Sequence, residues 1–232
     1  MKRFYQNAHV APVEQGFAVL LDNKQIKTPA QNHLVVITQA LASEIAREWN
    51  TQGEKINHAA MLLTKFANSA IDGVAIKMQD VREDIVSYAH TDLLLYRADE
   101  PQALRERQAR GYDPILEWLR GQGINFASTV GVMPVQQRAE SLEALRQSLK
   151  KYDAFSLAAL SSITALTGSA CLALAVAEDF LSPEAVWDAA HIDEDFQIEK
   201  WGRDEEATLR RANRWKEMDA ACRMLALARE PA

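Results

Sequence analysis

Between Trp187 and Asp204 the chain reads Trp-Asp-Ala-Ala-His-Ile-Asp-Glu-Asp-Phe-Gln-Ile-Glu-Lys-Trp-Gly-Arg-Asp, a run in which carboxylates are interleaved with apolar side chains. At 100° per residue Trp187, Ala190, Glu194, Gln197, Ile198 and Trp201 fall on one helix face, and Ala189, Ile192 and Phe196 on another. The spacing therefore predicts a helix buried over much of its circumference, with Glu194 and Gln197 inside an apolar stripe. A carboxylate in such surroundings is costly unless paired and hydrogen-bonded. Two readings follow. Glu194 either forms an architectural ion pair with Arg210, Arg211 or Arg214 of the next helix, or it works: as a binding group, or as the general acid/base of a hydrolase or transferase. Asp193, Asp195 and Glu199 lie on other faces, and with Asp204, Glu205 and Glu206 they make this corner acidic. Glu206 and Arg210 have the spacing of an ordinary i,i+4 pair.

Other catalytic patterns are missing. With nine glycines the chain has no GxGxxG, no GxxxxGK[ST] and no GxSxG, so the common backbone cradles and the nucleophile elbow are not found. The five histidines include no HExxH and no pair at metal-ligand spacing. His90 with Asp92, or His191 with Asp188 or Asp195, is half a site at most. Neither a metal nor a cofactor is predicted. Cys171 and Cys222 stand far apart inside apolar stretches, as structural thiols of a reducing compartment do. The chain has 26 Lys+Arg against 32 Asp+Glu and a net charge of −6, which argues against a nucleic-acid binder.

The elements that must position the acidic segment can be read from periodicity. In 232 residues, 48% of them apolar, there is material for one large or two small globular domains. Phe17, Val19 and Leu21 alternate, Asp22-Asn23-Lys24 is a turn, and Ile26 and Thr28 resume the alternation, which predicts a hairpin. His33 to Ile37 is a third short strand-like run, and Thr38 caps a helix carrying Leu41, Ile45 and Trp49. Beyond residue 60 helical spacing takes over. Thr64 is expected to cap a helix with Phe66, Ala70, Ile71 and Val74, and Val81, Ile85, Tyr88 and Ala89 mark another. Pro114 behind Asp113 reads as a helix start. Ser141 to Leu149, Ala154 to Ala165 and Ser169 to Ala177 are helical by composition, Ser182-Pro183 opens a helix that should run to Gly202, and a last helix extends from Asp204 to Ala228. The fold class is α+β: a small N-terminal α+β domain with a β-hairpin sheet, residues 1–90, followed by a multi-helical all-α C-terminal domain, residues 91–232. Leu157 to Ala177 is 21 residues without a charge, long enough to cross a bilayer. It is rich in small residues, though, and Thr167-Gly168-Ser169 interrupts it, so a buried helix pair is expected and no stable membrane insertion.

Several motifs also match a known family in order along nearly the whole chain. They are Glu48-Trp49-Asn50-Thr51-Gln52 with Ile56; Leu63-Thr64 before Ala67-Asn68-Ser69-Ala70-Ile71-Asp72; Tyr88-Ala89-His90-Thr91-Asp92-Leu93 through Tyr96-Arg97-Ala98; Tyr112-Asp113-Pro114 with Trp118; Thr167-Gly168-Ser169 before Leu174-Ala175; and Trp187-Asp188-Ala189-Ala190 running into Asp193-Glu194-Asp195-Phe196-Gln197, Trp201-Gly202 and Asp204. In these the chain resembles the assembly chaperones of the F-type ATP synthase, which bind the alpha subunit of the F(1) sector before it joins beta. The resemblance implies an α+β N-terminal domain, a helical C-terminal domain, no catalytic activity and no cofactor. It also implies a client-binding set of Asp193, Glu194, Asp195, Gln197 and Trp201, with Trp49, Asp92, Arg97, Trp187 and Gly202 as motif residues. Tyr112 stands where tryptophan is commoner, and Met61-Leu62 replaces the usual Met-Pro. A start at Met-Lys-Arg-Phe-Tyr looks like a bacterial, cytoplasmic member, whereas eukaryotic relatives belong to the mitochondrial matrix.

Overall fold

The computed structural model describes residues 1–229; residues 230–232, the end of the second predicted domain, lie outside the described residues. Two compact units are formed, and neither is continuous in sequence. The first comprises Met1–Met78, Tyr152–Ala159 and the chain from Ala220; the second comprises Gln79–Lys151 and Leu160–Asp219.

In the first unit β1 (Ala8–Val13) and β2 (Gly16–Leu21) pair antiparallel along their whole length, from Ala8 opposite Leu21 to Val13 opposite Gly16. The predicted hairpin continues into β3 (Lys24–Gln25), and β4 (Val35–Val36) also pairs with β2. β2 is thus the central strand. Consecutive Ala18 and Val19, which point to opposite faces, are both buried, so this strand is covered on both sides. β1 was not among the predicted strands; its sequence, Ala-His-Val-Ala-Pro-Val, shows no clear apolar alternation and contains a proline.

Helix α1 (Gln39–Asn50) begins where expected: Thr38 Oγ1 accepts from the Leu41 amide at 3.1 Å, and Leu41, Ile45 and Trp49 are buried. The next helix corrects the expected cap. α2 (Leu62–Ser69) starts before Thr64, and it is the Glu48 carboxylate of α1 that satisfies its free amides. Leu63 N and Thr64 N each donate to Glu48 at 2.8 Å, and Thr64 Oγ1 donates at 2.7 Å. A carboxylate at a helix N-terminus also meets the positive end of the helix dipole. Glu48→Ala should therefore cost about 2 kcal/mol, seen as a lower midpoint in urea unfolding with an unchanged slope.

The second unit opens with α3 (Met78–Tyr88), its Met78 still belonging to the first. β5 (Tyr96–Arg97) and β6 (Thr129–Val130) form a small parallel pair around α4 (Gln102–Gly121). Pro114 lies inside α4, not at its start; the helix begins behind Pro101. The interior proline leaves the Arg110 carbonyl without its usual i+4 donor, and local sequence could not show that the apolar stripe Gln108, Tyr112, Ile115 and Leu119 spans it. α5 (Ala139–Ser148) leads to α6 (Ala154–Thr167) and α7 (Ala170–Ala177). Gly168, at φ +69°, separates these last two, so the uncharged run is a broken helix pair. Among the described residues no helix is long and apolar enough to cross a membrane.

The predicted single helix from Ser182 to Gly202 is two helices, α8 (Pro183–Ala190) and α9 (Ile192–Trp201). His191 is the reason. Its ring Nδ1 lies 2.7 Å from the Trp187 carbonyl, the group its own backbone N–H would use in a continuing helix, and that N–H turns instead to Asp188 O at 3.2 Å. α10 (Glu205–Arg229) follows, with Asp204 Oδ1 accepting from the Ala207 amide at 2.7 Å.

Candidate interaction surface

The break at His191 changes the phase of everything after it. No residue of α9 is buried, which corrects the expectation of a helix enclosed over much of its circumference. Trp187 is buried, while Trp201, placed on the same face by arithmetic, is 81% exposed. Gly202 ends α9 at φ +89° and ψ 174°, a conformation that only glycine adopts without strain.

The carboxylates of α9 divide by partner. Asp193 Oδ1 accepts from Gln108 Nε2 at 2.7 Å, Glu199 from Arg107 at 2.6 Å, and both oxygens of Asp195 face the Arg211 guanidinium. Glu194 is the exception. Arg211 was one of its three expected partners and instead holds Asp195; Arg214 donates to Leu166 O, and Arg210 lies 3.8 Å from Glu206. Among the described residues no arginine or lysine lies within ion-pair distance of Glu194, although Arg211 feels its charge; His191 Nε2 stands 3.9 Å away, beyond hydrogen-bond length. Glu194 is half-buried, at 39% side-chain exposure.

His191 is held neutral. Burial lowers its pKa first, its bond to the Trp187 carbonyl raises it, Arg211 and Arg214 lower it, and Glu194 raises it; the result is below the ordinary 6.5. A carbonyl can only accept, so Nδ1 carries the proton and Nε2 presents a bare lone pair toward Glu194. Because the folded pKa is depressed, the unfolded chain takes up a proton that the folded chain refuses as pH falls below about 6.5. Stability should therefore decline on acidification from pH 7 toward 5.5, and His191→Gln should flatten that part of the melting-temperature profile.

Behind α9 stands a frame of motif residues that are distant in sequence. Asp92 is wholly buried and accepts from Leu94 N at 3.1 Å, Ser169 Oγ at 2.6 Å and Cys171 N at 3.1 Å. Burial pushes its pKa up against the opposing pull of these donors. Arg97, also buried, donates to Leu94 O and to Asp113 at 2.6 Å, and lies over the Tyr112 ring at 4.8 Å. Gln108 joins this frame to the surface, since its Oε1 accepts from Ala98 N while its Nε2 holds Asp193. Trp187 packs against His191 at 4.0 Å and Trp215 at 5.4 Å between ring centroids. Trp49 lies in the first unit, buried against Tyr5 at 5.7 Å. Gln197 is exposed on α9. Gln108 was not singled out from the sequence, though a lone amide four residues before Tyr112 in an apolar stripe was a readable signal. Among the described residues no group of three or more His, Cys, Asp or Glu could hold a metal ion.

Comparison with known proteins concerns the chain as a whole. A family profile described as ATP12 chaperone protein matches residues 2–120. The crystal structure of Atp12 from Paracoccus denitrificans superposes with a TM-score of 0.94 at 40% identity, covering 98% of each chain. That of a protein from Agrobacterium tumefaciens gives 0.94 at 46% identity, covering 97% of this chain and 85% of the other. The mitochondrial protein atp12 of Schizosaccharomyces pombe is 21% identical over 89% of this chain and 75% of its own. With the family profile spanning half the sequence and a solved relative matching nearly all of it, the chain belongs to the ATP12 chaperone family.

Proposed function

We propose that this chain, an ATP synthase assembly chaperone by its family, binds the unassembled alpha subunit of the F(1) sector and keeps it from aggregating until beta arrives. The contact is assigned to α9 and the start of α10, through Glu194, Trp201 and Gln197, with Asp193 and Asp195 as neighbouring carboxylates. One observation carries the reading: a tryptophan 81% exposed at the end of a helix without a buried residue, in the same helix as a carboxylate that no arginine of the described residues contacts directly. An exposed indole is an expensive surface to leave in water and a frequent anchor of protein interfaces. Leu209, 64% exposed in the first turns of α10, extends the apolar part. Glu194 does not line the apolar cavity beside α9, so that cavity lends the acid/base alternative no support. The proposed compartment is the bacterial cytoplasm.

The test is light scattering of purified alpha subunit on dilution from denaturant, without nucleotide. A stoichiometric amount of the chain should suppress the rise in scattering. Equal scattering with and without it, under conditions where beta does protect, would refute the reading.

A further inference from the structure

A cavity of about 380 Å³ lies in the second unit between α4, the α7–α8 connection, α8 and α9. Its walls are apolar: Ile115 from α4, Phe180 and Leu181 from the connection, Ala185 from α8 and Ile192 from α9. The walls are held in place before anything binds. Phe180 is 37% exposed yet stacks on Trp118 at 4.7 Å with planes 10° apart, and α4 meets α9 so closely that a Cβ on Gly111 would lie 2.4 Å from Ile192 Cδ1. The volume is at the small end of ligand cavities, about 300–1,000 Å³, and the only charged residues lining it are Arg110 and Asp188. That lining has too few polar groups to orient a cofactor, but it suits apolar side chains inserted from another protein.

Charge selects the occupant. Asp188 is exposed on α8 with no ion pair; Arg211 feels the Asp188 and Glu194 charges but bonds Asp195. On the opposite wall Arg110 is likewise exposed and would meet an acidic side chain of the same occupant. We infer that this groove receives an amphipathic helix of the client, two apolar side chains one turn apart seated on Phe180, Leu181 and Ile192, and a basic side chain against Asp188. Helix-in-groove recognition works through such anchors at i and i+4, and preformed walls reduce the ordering cost of binding. The inference rests on the proposed chaperone reading and names the chemistry of the client segment.

The test uses the full chain and two alanine-based helical peptides. Each has two leucines one turn apart; one carries an arginine on the same side, and the other a glutamate in its place. Alanine-methyl NMR should show the arginine peptide shifting Ala185 and Ala189. Asp188→Lys, on the exposed rim, should weaken that peptide by at least about tenfold and improve binding of the glutamate peptide. Ala185→Trp, which fills the groove, should abolish binding of both while melting cooperatively. Equal affinity of the two peptides, shifts elsewhere only, or binding that survives Ala185→Trp would overturn the inference, as would self-association of the chain that Ala185→Trp removes. The same variants in the scattering assay separate the two claims. Protection of alpha subunit by both wild type and Ala185→Trp sinks the groove and leaves the chaperone reading standing, whereas peptide binding without any protection by wild type does the reverse.

Discussion

Asp92→Ala should remove about 4 kcal/mol of stability. The carboxylate is wholly buried and accepts from Leu94 N, Ser169 Oγ and Cys171 N, with the Cys171 thiol also bonded to it. Truncation takes this acceptor from all of them in the protein interior, and an unmet buried donor costs about 1–3 kcal/mol. Ser169 suffers twice, because its Oγ also accepts from Leu172 N at 3.0 Å and caps α7. The bond from Leu93 N to Gly168 O at 3.1 Å would keep part of the junction together, so the loss is less than the full sum. At roughly 2–4 °C per kcal/mol for a chain of this size, the melting temperature should fall by about 8–16 °C. Asp92→Asn is the informative partner variant. Its oxygen can still accept from Ser169 and Leu94, but its amide would face the Cys171 N–H, donor against donor, so its loss should be about half. A melting temperature within about 2 °C of wild type for Asp92→Ala would show that the α6–α7 junction does not depend on this carboxylate.

Trp201→Ala should weaken binding of the alpha subunit by about thirtyfold or more, equivalent to roughly 2 kcal/mol, with no change in melting temperature. The indole is 81% exposed, so little in the folded chain is lost with it, and any loss of affinity reports the interface. Glu194→Lys should weaken binding to a similar degree. Its half-exposed carboxylate has no arginine partner, so the lysine leaves no buried cation behind, and the chain should still melt cooperatively. The control is Lys77→Glu, an exposed position in the first unit, which should leave affinity unchanged. Loss of cooperative melting in Glu194→Lys would make the residue structural. Retention of full affinity in Trp201→Ala would move the contact away from α9.

Local chemistry made much of the fold legible. Thr38 and Ser182 cap their helices as their side chains suggest, and Gly168 divides the uncharged run where the small residues and the Thr-Gly-Ser sequence pointed. These features act within a few residues, where spacing and backbone preference suffice. Where a distant group decides the outcome, spacing misleads. Thr64 had the chemistry of a cap but was displaced by Glu48, which reaches α2 from the preceding helix and satisfies two amides at once. Pro114 read as a start because a helix interior is costly for proline, yet the buried stripe on either side carries α4 through it.

The acidic segment divides in the same way. Its composition, its place before Gly202 and its membership in an ordered set of motifs were all present in the amino-acid order. Which carboxylate stands without an arginine was not. That depended on the His191 ring taking the Trp187 carbonyl, a contact across four residues at the point where α8 ends and α9 begins. It depended equally on Gln108, Arg107 and Arg211, which arrive from α4 and α10 to engage Asp193, Glu199 and Asp195. Sequence determines which groups are available and the local elements that carry them. Partner choice belongs to tertiary structure, because a charge is neutralised by whatever lies within about 4 Å of it, and in this protein those neighbours come from helices many residues away.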